Sequence, residues 1–62
     1  MDVKQIRDAT GYTQVKFAEL YRIPVSTLRQ WEQCVREPTG PALALLKLIN
    51  LEPDVIAEIL AR

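Results

Sequence analysis

An all-α fold of five short helices is predicted for this chain, and three observations predict it. Apolar residues recur at helical spacing, as in Phe17, Ala18 and Tyr21, and again in Leu28 and Trp31. Residues that stop or start helices punctuate the chain: Gly11, Pro24, Thr39–Gly40–Pro41 and Glu52–Pro53–Asp54. The connections between these points are short, as in a compact helical domain. With 62 residues the chain is expected to form one domain, residues 1–62. A chain this short buries only about 60% of its unfolded surface, so it depends on good packing or on a partner.

Helix one is expected at roughly residues 3–10. Asp2 and Gln5 stand at capping-box spacing before it. Val3, Ile6 and the pair Ala9–Thr10 supply an inner stripe, and Gly11 suits the left-handed residue that ends a helix. Helix two is expected at roughly 13–21, with the Thr13 hydroxyl as its cap. Lys16 and Glu19 point outward; Val15 and Leu20 are either scattered exposed apolar residues or part of a contact with another chain. Arg22–Ile23–Pro24 form the turn, with Ile23 plugging the core and Pro24 pre-setting φ near the first helical turn.

Helix three, roughly 25–33, buries Leu28 and Trp31 and presents Val25, Ser26, Thr27, Arg29 and Gln30 outward. Small and hydrogen-bonding side chains with one arginine suit a helix that enters a DNA major groove. Helix four, roughly 41–50, carries a core stripe of Ala42, Leu45, Leu46 and Ile49. Leu43, Leu48 and Leu51 extend its apolar surface round most of the circumference, so it needs cover on both sides. Helix five, roughly 54–61, opens with proline and acidic residues against the positive helix end. Its Val55, Ile56, Ile59 and Leu60 give it an apolar face too; this excess either fills a monomeric core or, as is expected here, makes a homodimer contact together with the end of helix four.

Charge and chemistry narrow the function. Net charge is zero, yet residues 13–36 carry Lys16, Arg22, Arg29 and Arg36 against Glu19 and Glu32. From Glu37 onward four acids (Glu37, Glu52, Asp54, Glu58) oppose Lys47 and Arg62. The centre is therefore basic and the tail acidic, a modest footprint for nucleic acid. One cysteine and no histidine leave no Cys/His zinc set, no internal disulfide and no His-activated nucleophile. The carboxylates are scattered. Neither an enzyme nor a cofactor is expected. No apolar run approaches the roughly 20 residues that span a bilayer. Met1 is followed by Asp2 rather than by a basic and apolar leader. A cytoplasmic protein without membrane contact is the expectation.

The stretch Thr13–Glu32 reads T-Q-V-K-F-A-E-L-Y-R-I-P-V-S-T-L-R-Q-W-E, two short helices about a tight turn. It resembles the helix-turn-helix of the phage-repressor (Cro/C1, or Xre) family. The likeness rests on Gln14, Ala18, Ile23, Thr27, Leu28, Trp31 and Glu32 in that order and spacing. It continues through W-E-Q at Trp31–Gln33 and R-E-P-T-G-P-A at Arg36–Ala42, where it looks most like antitoxins of the HigA type. The resemblance spans roughly Ile6 to Leu60 and implies a compact five-helix lambda-repressor-like domain.

The resemblance implies a transcriptional repressor that binds a palindromic operator in double-stranded DNA as a homodimer. Val25, Ser26, Arg29 and Gln30 fall at its base-reading positions, with arginine suited to guanine and glutamine to adenine. Gln14, Lys16, Thr27, Arg36 and Thr39 fall at its phosphate-contacting positions. Arg7 and Glu32 match a structural ion pair between helices one and three. Arg22 and Cys34 stand where the family usually has glycine in a left-handed conformation. Cys34 is open to three readings: a tolerated residue, an introduced one, or a redox handle. Antitoxins of this type also bind a toxin, so a cognate toxin is a further possible partner. Whether this is a stand-alone regulator or the DNA-binding part of a longer protein stays open. A helical protein-interaction module that keeps the fold but not DNA binding is the alternative, favoured by zero net charge and the apolar start of helix three at Pro24 and Val25.

Overall fold

The computed structural model describes residues 1–62 and consists of five α-helices: α1 (Val3–Thr10), α2 (Gln14–Tyr21), α3 (Val25–Glu32), α4 (Pro41–Leu51) and α5 (Pro53–Ala61). Each expected boundary falls within one residue of the observed one. No helix is long and apolar enough to cross a membrane. α2 packs against α3 as a pair, α1 lies against α3 and α4, and α5 covers α2 and α4.

Local chemistry accounts for most boundaries. Asp2 is extended and its carboxylate accepts from the Gln5 amide at 3.1 Å. The Thr13 hydroxyl accepts from the Lys16 amide at 3.2 Å, which satisfies one of the free donors at the start of α2. Gly11 ends α1 in the left-handed region at φ 79°. Arg22 adopts the same region at φ 61°, and so does Cys34 at φ 60°. In both cases the following amide reaches back five residues to close the helix end. Ile23 donates to the Ala18 carbonyl at 2.9 Å, and Val35 to the Gln30 carbonyl at 3.0 Å. Pro24 takes the cap position of α3 at φ −58° and provides no side-chain bond there.

The core is built where these helices converge. Val3, Ile6, Phe17, Tyr21, Leu28, Leu46 and Ile49 are all buried, with Ile23 inserted from the turn. The Phe17 and Tyr21 rings lie 4.8 Å apart at a tilt of 54°, a favourable aromatic geometry. No buried side-chain polar atom lacks a partner. Ala9, expected in the inner stripe, is exposed: the α1 face that meets the core runs through Val3 and Ile6 only. Leu20 is partly buried and packs on the core, whereas Val15 is 57% exposed.

The C-terminal helices divide their apolar residues between two faces. Ile56 and Leu60, expected at a dimer contact, instead pack against the core. The exposed apolar residues of these two helices are Val55 and Ile59 of α5 and Leu48 and Leu51 of α4, all about half exposed or more. A helix with apolar residues at both i and i+1 has two stripes, and only the position of α2 and α4 decides which turns inward.

The loop before α4 carries backbone strain at Cys34. Its substitution by glycine is expected to stabilise the domain by about 1 kcal/mol, because a non-glycine residue in this conformation costs roughly 1–2 kcal/mol. Paired denaturant melts under reducing conditions check this; an unchanged or lower midpoint for Cys34→Gly would show that the conformation carries no such cost.

Candidate nucleic-acid interface

The site begins with an ion pair under the surface. The Arg7 Nε donates to Glu32 Oε2 at 2.7 Å and its Nη2 to Oε1 at 3.0 Å, a two-pronged contact between α1 and α3. The Arg7 Nη1 also donates to the Tyr12 carbonyl at 2.9 Å. Only 5% of the Glu32 side chain is exposed, against 14% for Arg7. The bond to Arg7 holds the Glu32 carboxyl below its usual range, against the opposing effect of burial, with a hydrogen bond from Gln14 adding to the lowering. The same bond raises the Arg7 guanidinium above its ordinary value.

The network continues to the surface. Gln14, first residue of α2, donates from Nε2 to Glu32 Oε1 at 3.1 Å. Its carbonyl oxygen accepts from the Arg29 Nε at 3.3 Å. Gln14 therefore bridges the buried carboxylate to an exposed arginine of α3.

Of the expected base-reading residues, Ser26 and Arg29 are exposed and Gln30 is partly buried. Val25 is also partly buried and packs on the core, so its outward surface is smaller than its position on α3 suggests. The expected phosphate-contacting residues separate into two groups. Gln14 and the exposed Lys16 lie at the start of α2. Thr27, Arg36 and Thr39 line one shallow groove of about 200 Å³ between α3 and the loop before α4. Glu37 lines the same groove and offsets part of the Arg36 charge. The Gln14–Glu32 and Gln14–Arg29 bonds are absent from any reading of sequence positions, because all three polar side chains meet only in space. The spacing of Gln14 and Glu32 within the motif was the one available signal.

The charged side chains of this stretch are unevenly paired. Glu32 is matched by Arg7, so within residues 13–36 the acid left unpaired by an ion bridge is Glu19. Lys16, Arg29 and Arg36 are exposed cations. Nowhere do three or more His, Cys, Asp or Glu side chains gather as a metal ion would require.

The ion pair generates a pH-dependent prediction. The folded-state pKa of Glu32 lies below its unfolded value, so between the two the unfolded chain binds more protons. The stability due to Glu32 is complete above the ordinary glutamate pKa of about 4.3 and is lost as pH falls through the lower folded value. Glu32→Gln is expected to be less stable near neutral pH and to lose stability less steeply with acid. Denaturant melts of both forms as pH is lowered from neutrality test this, and parallel curves would remove Glu32 from the account. Glu32→Ala removes the two-pronged partner of Arg7 and leaves it only Asp8 at 3.9 Å and the Tyr12 carbonyl; it is expected to cost more at neutral pH than the roughly 0–1 kcal/mol of an exposed pair.

Comparison with known proteins gives the family. Residues 3–56 match the Helix-turn-helix family. The chain is 33% identical over 58 residues to Antitoxin HigA-2 of Vibrio cholerae, covering 94% of this chain and 56% of that protein. It thus spans little more than half the length of that relative. A solved structure described as an HTH XRE-family like protein from Agrobacterium tumefaciens superposes with a TM-score of 0.92, at 46% identity and with 95% of each chain covered. With its α2–turn–α3 unit and its match over most of the chain, this protein belongs to the helix-turn-helix family of DNA-binding regulators of the Cro/C1, or Xre, type.

Proposed function

We propose that the domain is a sequence-specific repressor that reads a palindromic operator as a homodimer, with α3 in the major groove and α2 across the backbone. The observation that carries this reading is the placement of Ser26, Arg29 and Gln30 at helical spacing along one side of α3, with Lys16 and Arg36 also exposed. Arg29 offers donors to guanine and Gln30 a donor and an acceptor to adenine, while Val25 and Ser26 complete the reading face. Lys16, Thr27, Arg36 and Thr39 hold the phosphates and fix the register. Arg7 and Glu32 support α3 from beneath and do not touch DNA.

The relative from Vibrio cholerae bears the name antitoxin, and its likeness reaches across nearly all of this chain. We extend that role here: the domain represses the operon of a toxin, and a cognate toxin is its second partner, in the cytoplasm. The alternative of a helical interaction module draws on zero net charge and on the exposed apolar residues Leu48, Leu51, Val55 and Ile59. Those same residues suit the symmetric contact of a homodimer.

Arg29→Ala and Gln30→Ala are each expected to cost roughly 1–3 kcal/mol on the cognate site and to relax preference at one base pair per half-site. Arg36→Ala should weaken all sequences alike and lower the salt slope by about one unit per chain. Selection of binding sites from random duplexes, then titrations at several salt concentrations, measure these effects. If Arg29→Ala and Gln30→Ala both leave the cognate-to-scrambled ratio unaltered, α3 is not the reading element and the interaction module is the better account.

Ile59→Asp is expected to give a monomer in sedimentation and to weaken operator binding by uncoupling the half-sites. A dimer that survives this change would move the interface elsewhere, with exposed Val15 the next residue to substitute.

A further inference from the structure

Carboxylate oxygens accept hydrogen bonds and cannot donate them. Glu32 is fixed by Arg7, so the Gln14 amide must turn its NH2 end toward Glu32 Oε1. The Gln14 carbonyl oxygen is thereby aimed the other way, and it accepts from the Arg29 Nε. A flipped amide would set its oxygen against the carboxylate and its NH2 against the guanidinium, two repulsive contacts in place of two bonds. The orientation is determined by the ion pair beneath it.

This arrangement has a consequence for Arg29. A guanidinium has five N–H donors and can grip guanine in two ways, side-on through Nε and one Nη, or end-on through both Nη groups. With Nε bonded to Gln14, the side-on edge is occupied by the protein. The four Nη donors remain for an outside partner.

We propose that Gln14 is a positioning residue for base reading: it restrains Arg29 and selects end-on recognition of guanine, with Glu32 fixing the Gln14 amide from below. The proposal rests on the reading of α3 as the recognition helix. It adds to the phosphate contact assigned to Gln14 a sequence-dependent role. One Nε2 hydrogen of Gln14 stays free for a phosphate, so the two roles are compatible.

The test is a double-substitution cycle on discrimination, read on the selected half-site and on a set of duplexes in which each base pair is exchanged in turn. Arg29→Ala is expected to reduce the preference for one G·C pair by about 10-fold. Gln14→Ala is expected to reduce preference at that same pair, by about 3-fold, and to have no further effect on it when Arg29 is already alanine. The Arg29 Nε–H resonance of the DNA-free protein provides a second readout. It should be slow to exchange in the parent domain and accelerate in Gln14→Ala, while the amide spectrum of the core stays unchanged.

The outcomes are separable. If Arg29→Ala leaves discrimination intact, Arg29 reads no base and the positioning role is overturned; if Gln30→Ala also leaves it intact, the assignment of α3 as the reading helix fails as well. If Arg29→Ala abolishes the preference but Gln14→Ala weakens every duplex equally, Gln14 is a phosphate contact alone and the positioning role is overturned. An Arg29 Nε–H that exchanges equally fast in both proteins overturns it as well.

Discussion

A carboxylate whose side chain is only 5% exposed is a costly thing to fold unless its charge and lone pairs are met, and Glu32 meets both needs through one neighbour and a second helper. Arg7 reaches it from α1 with two donors, and Gln14 reaches it from α2 with one. Three helices are thus fixed at a single point on the last turn of α3. The hydrophobic core settles how α2 and α3 pack, but apolar contacts are non-directional and tolerate small rotations. The ion pair is directional. It sets the rotation of α3 about its own axis, and that rotation decides which side chains face outward.

The core and the polar site meet on α3 itself. Leu28 faces the buried side among Phe17, Tyr21 and Ile23, while Arg29 and Ser26 are exposed on the same two turns. An eight-residue helix has little intrinsic stability, so tertiary packing must supply it. The start of α3 has no side-chain cap, since Pro24 stands there. Its hold on the domain comes from Leu28, from partly buried Trp31 and from Glu32. What holds α3 in place therefore lies under the helix rather than along it.

Much of this is legible in the amino-acid sequence. Caps and stops act locally, so Asp2, Thr13, Gly11 and Pro41 mark helix ends from sequence alone. The left-handed residues at Arg22 and Cys34 were legible through family likeness, because their side chains disguise a conformation that glycine would announce. What could not be read was facing. In α5 the residues Val55, Ile56, Ile59 and Leu60 form two adjoining apolar stripes, and periodicity alone does not say that Ile56 and Leu60 turn inward. Ala9 was misplaced for a similar reason: a small apolar residue fits either face. The Gln14 bridge was also hidden, since it joins side chains 18 and 15 positions apart through geometry rather than pattern.

Two consecutive residues at the end of α2 hold both ends of α5. The Tyr21 hydroxyl donates to the Pro53 carbonyl at 2.9 Å, and the Arg22 Nη2 donates to the Leu60 carbonyl at 3.1 Å. These carbonyls are separated by about 10 Å of helix, at a rise of about 1.5 Å per residue. The end of α2, just before the turn to α3, therefore doubles as the mounting of the last helix. A load applied to α5 would be borne at Tyr21 and Arg22, immediately before the turn that aims α3. The last helix and α3 thus share one anchorage, the two residues that end α2.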